Sequence, residues 1–180
     1  GNIEMDIQQL DLVEHIRQCL AEMDELIESC SNEIRVSLPS QPAYIRADGQ
    51  KLYRVFENLL TNAIKYSLKN TRIYVLVQQR EEKVSLIVKN ISSYEMDFTG
   101  EEIVQRFVRA DRSRSSEGSG LGLAIAKSFV EIQKGTFDVD GDLFRVTITF
   151  PLYTPPKEQE MTPIETTGQQ GNPDLDSVGP

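Results

Sequence analysis

At roughly 150 residues per domain, a chain of 180 residues holds one globular domain with a remainder. Hydrophobic residues make up 39% and charged residues 26%, which excludes collagenous, low-complexity and wholly disordered chains. With 19 basic side chains against 28 acidic ones the net charge is −9, which argues against a nucleic-acid partner, since phosphate backbones bind basic faces; a bound nucleotide stays open because it needs only a few local cations and backbone amides.

The N-terminal GNIEMDIQQL carries no basic region followed by an apolar stretch, and no run reaches the roughly 18 to 20 apolar residues of a spanning helix. The chain therefore reads as soluble and unsecreted. Ile3, Met5 and Ile7 alternate with Glu4, Asp6 and Gln8, so residues 3–8 are predicted as a strand. Asp11 with Glu14 gives a capping-box signal. Leu12, Ile16, Cys19, Met23, Leu26 and Cys30 then recur at helical spacing, predicting one amphipathic helix to about Cys30. Cys19 and Cys30 share that helix, about 16 Å apart at 1.5 Å per residue, beyond disulfide reach, which suits a reducing cytoplasm.

Short strands are predicted at 34–38 and 43–47 around the PSQP turn. Asp48 caps a second helix, with Leu52, Phe56, Leu59, Leu60 and Ala63 on its core face, to about Ser67. Two longer strands, about 71–79 and 83–90, form a hairpin turning at 80–82. From Ile91 to Gly118 the periodicity fails, apart from a possible turn or two of helix at 101–108, and so long a stretch without a firm element is usually functional or mobile. A third helix is predicted from Ser119 to about Lys134 with Gly135 as its C-terminal cap. Strands at 136–139 and 143–150 close the domain as a hairpin.

After Tyr153 the composition changes. Residues 154–180 hold five of the eight prolines, no aromatic residue, and one lysine against five acidic residues. They read as a flexible acidic tail, leaving residues 1–153 as the domain. Helices and strands mix without strict alternation. The fold class predicted is α/β, a two-layer sandwich of a mixed sheet and about three helices.

Three segments carry possible chemistry. In FENLLTNAIKYS, residues 56–67, Asn58, Asn62 and Lys65 fall within about 60° of one another on the helix, about 130° from its leucine face. Such amides can be merely solvated or cap local backbone. Equally, carboxamide oxygens beside an ammonium suit a magnesium triphosphate, as metal ligand and phosphate partner. GSGLGL, residues 118–123, opens the third helix; it is either a structural turn or a phosphate cradle built from backbone N–H groups and the helix dipole. Arg106, Arg109, Arg112 and Arg114 sit within nine residues before it, forming either an anion site or a solvated loop face.

Taken in order, ENLLTNAIKYS, RFVRADRSR and GSGLGLAIAKS resemble the catalytic and ATP-binding domain of sensor histidine kinases, in the superfamily that includes gyrase-type and MutL-type ATPases. The resemblance covers about residues 1–153 and implies a Bergerat-type fold with a long ATP lid over about 91–118. It implies ATP and Mg²⁺, with Asn62 and Asn58 as metal ligands. Lys65 would meet the phosphates and Tyr66 would line the nucleotide pocket. Glu57 stands where related ATPases carry the carboxylate that orients the nucleophile. Phe107 matches the family's phenylalanine box, Arg109 and Arg114 its lid arginines, and Gly118, Ser119, Gly120, Leu121 and Gly122 its phosphate-cradling turn.

One departure is visible. The family's Asp-x-Gly-x-Gly box, whose aspartate accepts from the adenine amino group, is replaced by VKNISSYEM, with Asn90 at the aspartate position. A neutral carboxamide oxygen can accept the same bond without charge assistance. The only histidine, His15, lacks the phosphoacceptor motif, so the resemblance implies a histidine on a dimerisation domain outside this chain, a response regulator downstream, a monomeric fragment of a homodimer, and a cytoplasmic domain anchored to a bacterial membrane by upstream segments. The alternatives are a non-catalytic, nucleotide-gated interaction module, supported by the altered adenine box, or a gyrase-type or MutL-type ATPase or an anti-sigma kinase.

Overall fold

A computed structural model describes residues 3–92, 122–140 and 144–155. In chain order the elements are β1 (Gln8–Asp11), α1 (Leu12–Glu22), α2 (Asp24–Ser29), β2 (Glu33–Ser37), β3 (Tyr44–Ala47), α3 (Gly49–Tyr66), β4 (Arg72–Arg80), β5 (Lys83–Asn90), α4 (Gly122–Ile132), β6 (Thr136–Asp140) and β7 (Phe144–Pro151). The main sheet has the order β2-β4-β5-β7-β6, and β1 pairs with β3 in a separate two-stranded ribbon. Only the β2–β4 pair is parallel. The sheet is therefore mixed, as the sequence predicts.

Alternation makes this a two-layer sandwich. Ile73, Val75 and Val77 of β4, Val84, Leu86 and Val88 of β5, and Phe144, Val146, Ile148 and Phe150 of β7 are all buried, because successive side chains of a strand point to opposite faces and one face meets the helices. From the other layer come Leu12, Val13, Ile16 and Cys19 of α1, Leu52, Val55, Phe56, Leu59, Leu60 and Ala63 of α3, and Leu123, Ala126 and Val130 of α4, joined in the same core.

Local chemistry sets the helix ends. Asp11 accepts from the Val13 N–H at 3.1 Å and, across the ribbon, from the Ala43 N–H at 3.0 Å. Glu14 pairs with Arg17 at 2.7 Å instead of closing the capping box. Asp48 caps α3 through the Lys51 N–H at 3.1 Å and also accepts from the Asp6 N–H at 2.9 Å.

Three sequence expectations are corrected. The strand predicted at 3–8 begins only at Gln8, because β3 is four residues long and all four pair with Gln8–Asp11, leaving 3–7 no partner. The helix predicted through Cys30 breaks at Met23, whose backbone (φ −95°, ψ 12°) leaves the α region. The break rotates the stripe, so that Ile27 packs on the core while Leu26 is exposed, and four helices are described where about three are predicted. Gly135 follows α4, yet the left-handed residue there is Lys134 (φ 63°); glycine is needed at 135 because a Cβ would lie 2.8 Å from both Phe150 Cε1 and Val130 Cγ1. Both cysteines are free, as predicted. The tail at 156–180, the start of the third helix at 119–121, and the turn at 141–143 lie outside the described residues.

Candidate functional site

The middle of α3 runs alongside the start of α4, and a Cβ on Gly122 would lie 3.2 Å from Asn58 Oδ1. The bare backbone at Gly122 thus meets the Asn58 carboxamide of α3. One turn further along α3, Asn62 is half-buried like Asn58, while Lys65 is exposed. Its Nζ lies 5.2 Å from the centroid of the Tyr66 ring, a cation–π distance that holds the ammonium beside the aromatic face. Among the described residues no cluster of three His, Cys, Asp or Glu could hold a metal, so a metal bound here would draw on amide oxygens and on the phosphates of its ligand.

Asn90 closes the inward row of β5, which runs Val84, Leu86, Val88, Asn90. It is 3% exposed, and neither its Oδ1 nor its Nδ2 has a hydrogen-bond partner among the described residues. The strand is paired on both sides at this level, with Ile73 and with Phe144. Beyond it, the Leu68 N–H donates to the Ile91 carbonyl at 2.8 Å, and Ser67 bridges to Ser92. Ser67 is 6% exposed and its hydroxyl is likewise without a partner.

Glu57 is exposed and faces elsewhere. It lines a cleft of about 500 Å³ between α1 and α3, together with His15, Cys19, Glu22, Tyr53 and Arg54. Burial pushes the Cys19 thiol up to about 12, with Glu22 adding to the effect, so this sulfur stays protonated and unreactive at neutral pH.

The structure therefore brings together Asn58 and Gly122, with Asn62, Lys65 and Tyr66 following along α3 and Asn90 on the neighbouring strand. Arg106, Phe107, Arg109, Arg112, Arg114, Gly118, Ser119, Gly120 and Leu121, and the lid from 93 to 118, lie outside the described residues. Two residues escaped the sequence reading. Ser67 ends the FENLLTNAIKYS box, and only the tertiary fold shows that its hydroxyl is buried without a partner among the described residues. Gln133 accepts from the Asp48 N–H at 2.6 Å and donates to the Phe129 carbonyl at 2.8 Å, tying the end of α4 to the cap of α3; no motif announces such a contact.

Residues 47–154 match the family described as histidine kinase-, DNA gyrase B- and HSP90-like ATPase. The chain belongs to this family. It is 31% identical over 158 residues to the sensor protein CzcS of Cupriavidus metallidurans, covering 84% of this chain and 32% of CzcS, and 33% identical over 131 residues to the sensor histidine kinase WalK of Bacillus subtilis, covering 69% of this chain and 21% of WalK. It thus spans a third or less of these curated relatives. Among solved structures it is similar to the mycobacterial sensor histidine kinase MprB, with TM-score 0.62, 25% identity, and coverage of 81% of this chain and 97% of that one. The fold also matches full-length ShkA in complex with AMPPNP, with TM-score 0.70 and 23% identity, over 86% of this chain and 33% of ShkA. The described helices include none long and apolar enough to cross a membrane.

Proposed function

We propose that this chain is the ATP-binding catalytic domain of a two-component sensor kinase, which binds Mg-ATP between α3 and α4 and presents its γ-phosphoryl group to a histidine on a dimerisation domain outside the chain. The observation that carries this reading is the approach of Asn58 to Gly122, which sets a polar amide against the opening of a helix. Such an opening offers unpaired N–H groups and a favourable dipole for phosphate. Family membership and the kinase names of the relatives support it.

Asn62 and Asn58 offer carboxamide oxygens to magnesium, and Lys65 offers its ammonium to the phosphates. Magnesium, when bound, bridges phosphate oxygens and neutralises the charge that builds on them. Tyr66 lines the nucleotide pocket, and Asn90 accepts from the base. The turn at 118–122 cradles phosphate, with Arg109 and Arg114 facing the terminal group, whereas Glu57 lies on the α1 side of α3 and takes no part. The domain's work is positioning and charge neutralisation. The full protein would be a membrane-anchored homodimer that passes the phosphoryl group from its histidine to a response regulator.

Joining this chain to a cognate histidine-bearing helix pair and supplying labelled ATP tests the reading. Label appearing on the histidine, and lost in Asn62→Ala, is expected. ATP binding without any transfer would favour the second reading, a nucleotide-gated interaction module, for which the neutral Asn90 is the supporting observation.

A further inference from the structure

The helices pack on one face of the main sheet, and no residue that alternates onto the other face is buried. On that open face the paired Leu76 and Ile87 form a half-buried apolar centre. Two residues further along, the register sets Arg35, Tyr74, Lys89 and Arg145 side by side across four strands. Lys89 Nζ stands 4.9 Å from the centroid of the Tyr74 ring and makes no ion pair among the described residues. Arg35 and Arg72 share one carboxylate, Glu33, at 2.8 and 3.5 Å. Over the whole face Arg35, Arg72, Arg80, Lys83, Lys89 and Arg145 stand against Glu33, Asp138 and Asp140, an excess of three cations on a chain of net charge −9. Like charges on neighbouring strands repel, so the fold gains nothing from this excess, whereas an anionic cover would complement it.

The chain itself holds such a cover. EQEMTPIE, residues 158–165, sets Glu158, Glu160 and Glu165 around Met161 and Ile164, and belongs to the segment outside the described residues. Strand β7 ends at Pro151, beside Lys83 of β5, so the segment follows from the same sheet. From Pro151 back to Thr147, which is level with Ile87, is about 13 Å along the strand. A coil of the eleven residues from Tyr153 to Ile164 spans about 18 Å, enough to bring the segment over the apolar centre. Attachment also supplies an effective concentration on the order of 1 mM, so that a weak contact suffices. We propose that residues 158–165 dock on the open face of the sheet, with Met161 and Ile164 on the Leu76–Ile87 centre and the three glutamates among Lys83, Lys89 and Arg145. This contact is independent of the nucleotide site.

The test uses the full 180-residue chain, ¹⁵N-labelled, with Cys30→Ser and a nitroxide attached through Thr167→Cys, the remaining Cys19 being buried. Amide broadening is expected to be strongest at Tyr74, Leu76, Ile87 and Lys89 and weaker on α1 and α4. It should fall severalfold in about 0.5 M NaCl, where the Debye length is near 4 Å, and again in the triple variant Glu158→Gln, Glu160→Gln, Glu165→Gln. None of these substitutions falls in a described helix or strand. Broadening spread evenly over sheet and helices, or unchanged by salt and by the glutamine variant, overturns the proposal. Equal broadening of a nitroxide-free ¹⁵N-labelled chain by a spin-labelled second copy would assign the face to a contact between copies and overturn it as well. A sheet face that stays sharp leaves it to a partner outside this chain and likewise overturns the docking.

Discussion

His15 is the chain's only histidine, and its surroundings set when it charges. Burial pushes its pKa below the ordinary value of 6.5, with the Glu22 carboxylate pulling the other way, and Nε2 has no hydrogen-bond partner among the described residues. A folded-state pKa below the unfolded one means that the unfolded chain takes the proton first as pH falls. Stability is therefore full above about 6.5 and declines as the pH drops below it. Urea melts at pH 7 and pH 5.5 should show the wild-type midpoint falling more than that of His15→Gln; equal falls would remove His15 from the acid response. Gly122 tests the site itself. A methyl there lies 3.2 Å from Asn58 Oδ1, so the amide must give by a few tenths of an ångström. Gly122→Ala should weaken Mg-ATP several-fold by calorimetry while the melting temperature stays near wild type, because the helix itself favours alanine. Unchanged affinity would separate Asn58 from the nucleotide.

Between elements, stability concentrates where α3 begins and α4 ends. Burial alone would raise the Asp48 pKa, but the N–H groups of Asp6, Lys51 and Gln50 hold its carboxylate below the ordinary range. That contribution is present at neutral pH and is lost as pH falls through the depressed value. Asp48→Ala should cost about 1–2 kcal/mol as a lost cap. Gln133→Ala should cost about 1–2 kcal/mol by leaving the buried Asp48 N–H unpaired. The two side chains act on one backbone segment, so their effects should not add in a double-mutant cycle by urea melts; strict additivity would show that the α3–α4 tie is not cooperative. At the far side of α4, Gly135→Ala drives a methyl to 2.8 Å from Phe150 and Val130, and a loss of about 1–3 kcal/mol is expected from overpacking. A loss under about 0.5 kcal/mol would mean that β7 and α4 yield readily at that contact.

Across the whole molecule, what the sequence disclosed divides by the range of the interactions. Asp11 and Asp48 were legible as caps because a cap is made within three residues, and β4, β5 and β7 because alternation such as Val84, Leu86, Val88 is written in the strand itself. The start of β1 was not, since a strand extends only as far as its partner, and β3 offers four residues. The break at Met23 was hidden because the apolar spacing runs on through it. In the site, Asn58, Asn62, Lys65 and Gly122 were named from one helix face and one glycine run. The approach of Asn58 to Gly122 across α3 and α4, and the lack of a partner for Asn90 and Ser67 among the described residues, depend on tertiary packing that no local pattern encodes. The sheet and helices α1, α3 and α4 hold Asn58 of α3 against the start of α4, where we propose that Mg-ATP binds. Calorimetry of the 180-residue chain with ATP, in Mg²⁺ and in EDTA, for wild type and Asn62→Ala, measures that claim directly. Magnesium-dependent binding in the wild type is expected, with loss of the magnesium-dependent part in Asn62→Ala while the fold stays intact by circular dichroism. Identical isotherms for the two proteins in Mg²⁺ would contradict it.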